Sequence, residues 1–274
     1  MSHPGRTAIA CRARLAGLAI FADLAGPAIL TGLGVFAGFG GCGTTGGDVI
    51  AFAVTAQGAP GAAAADTALG WHVELTQATL HLGAVYLNLA VPISGSQETN
   101  CILPGIYTAE ELAALDVDAL STAPQPFPQP ATGTNDLART AEVWLTGGNV
   151  NAGADPTVIA RISGTATRAA TAVPFTAQIT IGDANRGIPP SNPAQPSQHP
   201  ICKQRIVSPI PIDLRPRDAG TLAITVDASG WFANVDFTLL PAGGAFPDDN
   251  TNPASQNLFT AVRAAAATFR LGFL

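Results

Sequence analysis

Lysine is almost missing from this sequence, with Lys203 alone among 274 residues, and charged side chains of both signs make up only 12%. Long surface helices need charged outer faces, so a chain this poor in charge favours short strands joined by loops. Catalytic signatures are missing as well. There is no G-x-S-x-G elbow, no P-loop, no G-x-G-x-x-G after a strand and no H-E-x-x-H pair. The nearest nucleophiles, Ser94 and Ser96 in PISGSQE, stand in no such frame, so the chain reads as a non-enzyme. No repeat recurs at a fixed period. What is plentiful is turn formers, 29 Gly and 22 Pro.

Charge is divided unevenly along the chain. The first 41 residues carry Arg6, Arg12 and Arg14 against Asp23, whereas the rest has ten Arg and Lys against eighteen acids. A net charge of minus eight repels phosphate polymers and anionic headgroups, which excludes nucleic acid as the expected partner.

After the basic segment comes an apolar run, Leu15 to Phe39, interrupted only by Asp23 and followed by FGGC. A basic region, an apolar region and small residues before a cut are the three parts of a secretory signal. Gly40, Gly41 and Cys42 resemble the lipobox of bacterial lipoproteins, with Phe39 where an aliphatic residue is usual. That resemblance implies cleavage before Cys42, a lipid on its thiol, and a membrane partner reached through the anchor. It also implies an envelope location in a Gram-negative bacterium, with Gly43 favouring the outer membrane. The alternative is a retained anchor helix over Leu24 to Phe39, but sixteen residues fall short of the roughly 20 that a span needs.

Of the four cysteines, Cys11 lies in the leader and Cys42 is the lipidation candidate, leaving Cys101 and Cys202. An isolated pair in an oxidising compartment reads as a disulfide. It would close a loop of about 100 residues, worth roughly 4 to 5 kcal/mol in the chain-entropy model. A pair of metal thiolates lacks the C-x-x-C spacing that would support it.

Residues 1–41 are therefore expected to be a signal peptide, 42–70 a flexible tether and first strand, Val49 to Thr55, and 71–274 a single β-sandwich domain. In WHVELTQATLHLGAVYLNLAVPI the apolar phase moves from Trp71, Val73 and Leu75 to Ala78, Leu80 and Leu82, which predicts a bulge near Gln77. Further strands are expected at Glu142 to Thr146, Thr157 to Thr167, Phe175 to Ile181, Arg205 to Leu214, Thr221 to Asp227 and Val235 to Leu240. Pro209 and Pro211 demote theirs to a sheet edge or break it. Ser121 to Arg139 and Asp183 to Pro200 read as proline-rich surface loops, and Ala109 to Leu115 as a helical turn. Ser255 to Ala267 is the best helix, capped from Asn252 to Ser255, and TFRLGFL closes the chain as a last strand. The expected fold is all-β, an antiparallel β-sandwich with one short C-terminal helix.

Three histidines remain beyond the leader. His72 and His81 are nine residues apart, an odd offset that a bulge would bring to one face; with His199 they form a conceivable metal site. Surface histidines without a ligand are the plainer reading. The phrases LHLGAVYLN and VDASGWFANVDF resemble the periplasmic copper-binding proteins found beside methanobactin genes, and that resemblance implies copper at those histidines. Otherwise no cofactor is expected. DDNTN and NVNAGAD offer calcium oxygens but fit turns better. Trp144, Trp231 and Phe232 are the aromatics for a glycan platform, with core burial as their default state. Two functions stay open: a non-enzymatic envelope lipoprotein whose protein or small-molecule partner is unknown, and a periplasmic copper-binding protein.

Overall fold

The structure, a computed structural model, describes residues 47–91, 106–146, 155–181, 205–248 and 251–274. The leader with Cys42, both Cys101 and Cys202, His199 and the loop 183–200 lie outside the described residues.

The described chain is mostly strand, in two sheets, with short helices near the C-terminus. The strands are β1 (Val49–Gly58), β2 (Ala64–Asp66), β3 (His72–Leu82), β4 (Ala84–Asn88), β5 (Tyr107–Glu111), β6 (Leu115–Asp118) and β7 (Gln125–Pro126). They continue as β8 (Ala131–Thr134), β9 (Ala138–Trp144), β10 (Asp155–Arg168), β11 (Thr171–Ile181), β12 (Ile206–Leu214), β13 (Thr221–Val226) and β14 (Phe269–Phe273). One sheet has nine strands in the order β12-β9-β4-β5-β8-β1-β13-β14, with β7 also on β1; the other runs β11-β10-β3-β2, with β6 also on β3. Named strands pair antiparallel except β1 with β13, which are parallel. The two ends of the large sheet, β12 and β14, approach one another, so this sheet curls toward a barrel.

One apolar core runs through both sheets. β1, at the place expected for the first strand, supplies it by strict alternation, burying Ile50, Phe52, Val54 and Ala56 inside the large sheet. Phe175, Phe232, Phe237 and Phe246 cluster with centroids 5.0–6.4 Å apart, and Trp71 packs on Phe237 at 5.3 Å. Such edge and tilted contacts add to the area each ring buries.

The bulge in β3 is present. Gln77 opposes Ser163 and Leu75 opposes Gly164, leaving Thr76 as the extra residue, and a Cβ at Gly164 would collide with the Glu74 carbonyl. β12, with both prolines, is an edge strand, and its register slips between Val207 and Ile210. Helix α1 (Pro253–Val262) is capped by Asn252, which accepts from the Ala254 and Ser255 amides, and a single turn α2 (Ala265–Thr268) leads into β14.

Several local expectations are corrected. Residues 109–115, rich in Ala, Leu and Glu, form no helical turn but contribute to β5 and β6, because sheet pairing overrides intrinsic propensity. The proline-rich 121–139 contains β7 and β8 and opens β9. Val235–Leu240 is not a strand but holds a short 3-10 turn, Phe237–Leu239, with the Asp236 side chain accepting from the Thr238 amide.

Candidate functional site

The outward positions of β9, β4 and β5 are where the structure departs most from ordinary alternation. Tyr86 on β4 stands opposite Glu142 of β9 on one side and Glu110 of β5 on the other. One step along, Asn88 is opposite Thr140 and Tyr107. Strict alternation would send Tyr107 inward with Ala109 and Glu111. A register shift leaves Thr108 as an extra residue, its hydroxyl donating to the Leu87 carbonyl at 3.3 Å, and Tyr107 is re-aimed outward beside Glu110.

Three rings then line up. Tyr86 lies between Tyr107, at 4.8 Å and 45°, and Trp144, at 5.3 Å and 53°. Glu142 sits among them, fully buried although it is on the outer side of a sheet. Its Oε2 accepts from the Tyr107 hydroxyl at 3.3 Å and the Trp144 indole at 3.4 Å, and its Oε1 from Ser208 of β12 at 3.3 Å. These bonds are long for their type, and every donor is neutral. Burial pushes the Glu142 carboxyl up, with the donors opposing that only in part. Tyr86 is raised by burial and by the Glu110 and Glu142 charges; Tyr107 is raised far more, by burial and by Glu142, so it is a protonated donor at neutral pH.

Asn88 is also fully buried. Its amide lies near enough to favour the Glu142 charge, yet neither of its polar atoms makes a hydrogen bond of good geometry. Among the described residues no cation pairs with Glu142 or Glu110. Beside the rings, Tyr107, Glu110, Val49, Thr132 and Gly133 line an open concavity of about 420 Å³.

A second polar cluster is internally satisfied. Buried Arg205 donates from Nε to Thr146 at 2.7 Å and pairs with Asp155 at 3.4 Å. Burial pushes Asp155 up, but the Thr157 and Thr146 hydrogen bonds and the Arg205 charge outweigh it and hold the carboxyl low. This reads as a structural tie. A concavity of about 470 Å³ on the small sheet is lined by Gln77, Arg161, Gln178 and Asp248.

The histidines do share the outer face of β3, as the bulge requires, but they do not converge. Nine strand residues separate them by on the order of 25–30 Å. His72 Nδ1 meets Asp66 at 2.7 Å and His81 Nδ1 meets Asp116 at 2.6 Å, so each is bound to its own carboxylate and one ion cannot take both rings. No cluster of three or more His, Cys, Asp or Glu suited to a metal occurs among the described residues. Trp231 and Phe232 are fully buried, so neither serves a glycan platform, whereas Trp144 is half-buried on the outer face rather than in the core. Asp248 bonds Thr180 and Asn252 caps α1, which accounts for two of the oxygens in DDNTN as turn and cap ligands.

Sequence reasoning did not single out Tyr86, Asn88, Tyr107 or Glu142. The available signal was Glu142 two residues from Trp144, hence on its face; the bulge at Thr108 had none. No family model, curated protein or solved structure matches this chain.

Proposed function

We propose that this chain is an exported, lipid-anchored envelope protein whose β domain is a non-enzymatic binding module. The anchor is Cys42, and the binding surface is the outer face of β9, β4 and β5. The observation that carries the binding half is Glu142: a carboxylate removed from water on the outside of a sheet, held by three long bonds from neutral donors. Burying a charge without a counter-charge costs stability. A protein that keeps such a group beside half-exposed rings has a use for it at that surface. The leader supports the address through its basic segment, apolar run and FGGC.

The address is tested in a Gram-negative host fed labelled palmitate. The parent takes label and fractionates with membranes, and Cys42→Ala does neither; equal label in the two, or none in the parent, overturns it. The Cys101 to Cys202 bridge is tested on the same exported protein. A non-reduced digest yields their two peptides linked, and free alkylatable thiols at both positions overturn it.

A further inference from the structure

Resting on that binding reading, we infer that the face formed by Tyr86, Tyr107, Trp144 and Glu142 takes an organic cation, of the quaternary or alkylated ammonium class. Such a group needs electron-rich ring faces for its methyls and a nearby negative charge, in a place where water is excluded. The rings are 4.8 and 5.3 Å from one another in sequence along the face, and Tyr86 has a carboxylate on each flank, Glu142 and Glu110. Behind them Asn88 is fully buried opposite Tyr107, its amide near the Glu142 carboxylate but without a hydrogen bond of good geometry.

The rest of the molecule sharpens the argument. Three other aromatic side chains carry an arginine of the chain itself: Arg168 lies 4.2 Å over Trp71, Arg263 4.9 Å over Phe259, and Arg217 5.8 Å over Phe273. The richest aromatic group on the surface has no such cation among the described residues, although Glu110 and Glu142 flank it. A metal ion is disfavoured there, because hard cations want several converging oxygens and the one buried carboxylate already accepts from Tyr107, Trp144 and Ser208. A neutral sugar would use the rings but leave the Glu142 charge uncompensated.

Charge on Glu142 is needed for the attraction, so affinity rises with pH as that carboxyl loses its proton. The groups facing it are Tyr86 and Asn88 from β4, Tyr107 and Glu110 from β5, Trp144 on its own strand and Ser208 from β12. Both tyrosines are raised and stay protonated through neutrality. Glu110 is the other carboxylate beside Tyr86, so Glu110→Gln serves as the control: the pH dependence persists in it and vanishes in Glu142→Gln.

The test is titration of the exported protein with choline, read by calorimetry and by tryptophan fluorescence, against the uncharged isostere 3,3-dimethylbutanol. Saturable choline binding is expected, with the isostere much weaker and Glu142→Gln weakened about tenfold. Tyr107→Ala, at a half-exposed ring whose loss leaves the core intact, weakens it similarly and guards against misfolding of the buried variant. Sedimentation with phosphatidylcholine rather than phosphatidylglycerol vesicles assigns the cation to a lipid headgroup; binding of free choline alone assigns it to a solute. Equal binding of choline and isostere, unchanged affinity in Glu142→Gln, or no saturable choline signal overturns the inference. A neutral sugar or a peptide bound in the parent and lost in Tyr107→Ala would overturn the cation while leaving the binding surface in place.

Discussion

In the five-stranded sheet the residues that alternate outward on β3 meet solvent, and the ionisable ones find partners there: His72 with Asp66, His81 with Asp116. Across the large sheet, the outward positions of β4 and β9 are covered, and Asn88, Thr140 and Glu142 are buried on what should be the wet side. The small sheet turns its one phenylalanine, Phe175 of β11, inward against Phe232, Phe237 and Phe246. The large sheet places three of its rings outward around a carboxylate. One arrangement pairs its exposed charges in the ordinary way; the other holds polar groups in a costly state, and the proposed binding role would account for it.

That contrast can be broken or sharpened by substitution. The largest effect is expected at Phe237→Ala, which removes the ring shared by Trp71, Phe175, Phe232 and Phe246: a loss of about 3–5 kcal/mol in denaturant unfolding. Choline affinity of the folded fraction should not change, and if it did the two regions would not be independent. Next is Arg205→Ala, which leaves Asp155 and Thr146 without their buried donor and should cost about 3 kcal/mol by the same measurement. A cost near zero would mean that this tie is not structural.

Glu142→Gln runs the other way. The amide oxygen can accept from Tyr107 and Trp144 while its NH2 donates to Ser208, so no group is orphaned. Because burial raises the folded-state pKa of Glu142, the parent loses stability as pH rises from the usual carboxylate range through that raised value, and the amide does not. The variant should match the parent in acid and exceed it by about 1 kcal/mol above neutrality. A difference independent of pH would put the carboxylate in water and remove the contrast between the sheets.

The smallest effect lies at His72. The Asp66 hydrogen bond is the main cause of its raised pKa, so an NMR titration should find it above 6.5 and Asp66→Asn should bring it down. With the folded value raised, the pairing stabilises below pH 6.5 and is lost as pH climbs through the folded value. An unshifted His72 in the parent would show that exposed pair to be energetically silent.

Alternation made most strands visible in the sequence. β1, β10, β11 and β13 have β-branched runs bounded by turn residues, and the apolar phase change in β3 marks its bulge. Asn252 before a helical run marked the start of α1 for the same local reason, that its side chain caps the first amides. Illegible were the places where a partner strand decides: β5 and β6, whose Ala, Leu and Glu are good helix formers, and β8 in a proline-rich stretch. The site belongs to this second kind. Tyr107 faces outward only because Thr108 is extruded against β4, and a bulge of one residue leaves no mark in composition.

By itself, then, the sequence determined what depends on neighbours along the chain: the β-rich class, the strand faces of β1 and β3, and the cap of α1. The tertiary structure alone decided what depends on neighbours across it. It separated His72 from His81 by the length of a strand, placed Trp144 outside the core, and brought Tyr86, Tyr107, Asn88 and Ser208 from three strands around Glu142. The physical reason is that periodicity says which residues share a face of one strand, while register between strands, shifted by a single extra residue, says which faces meet.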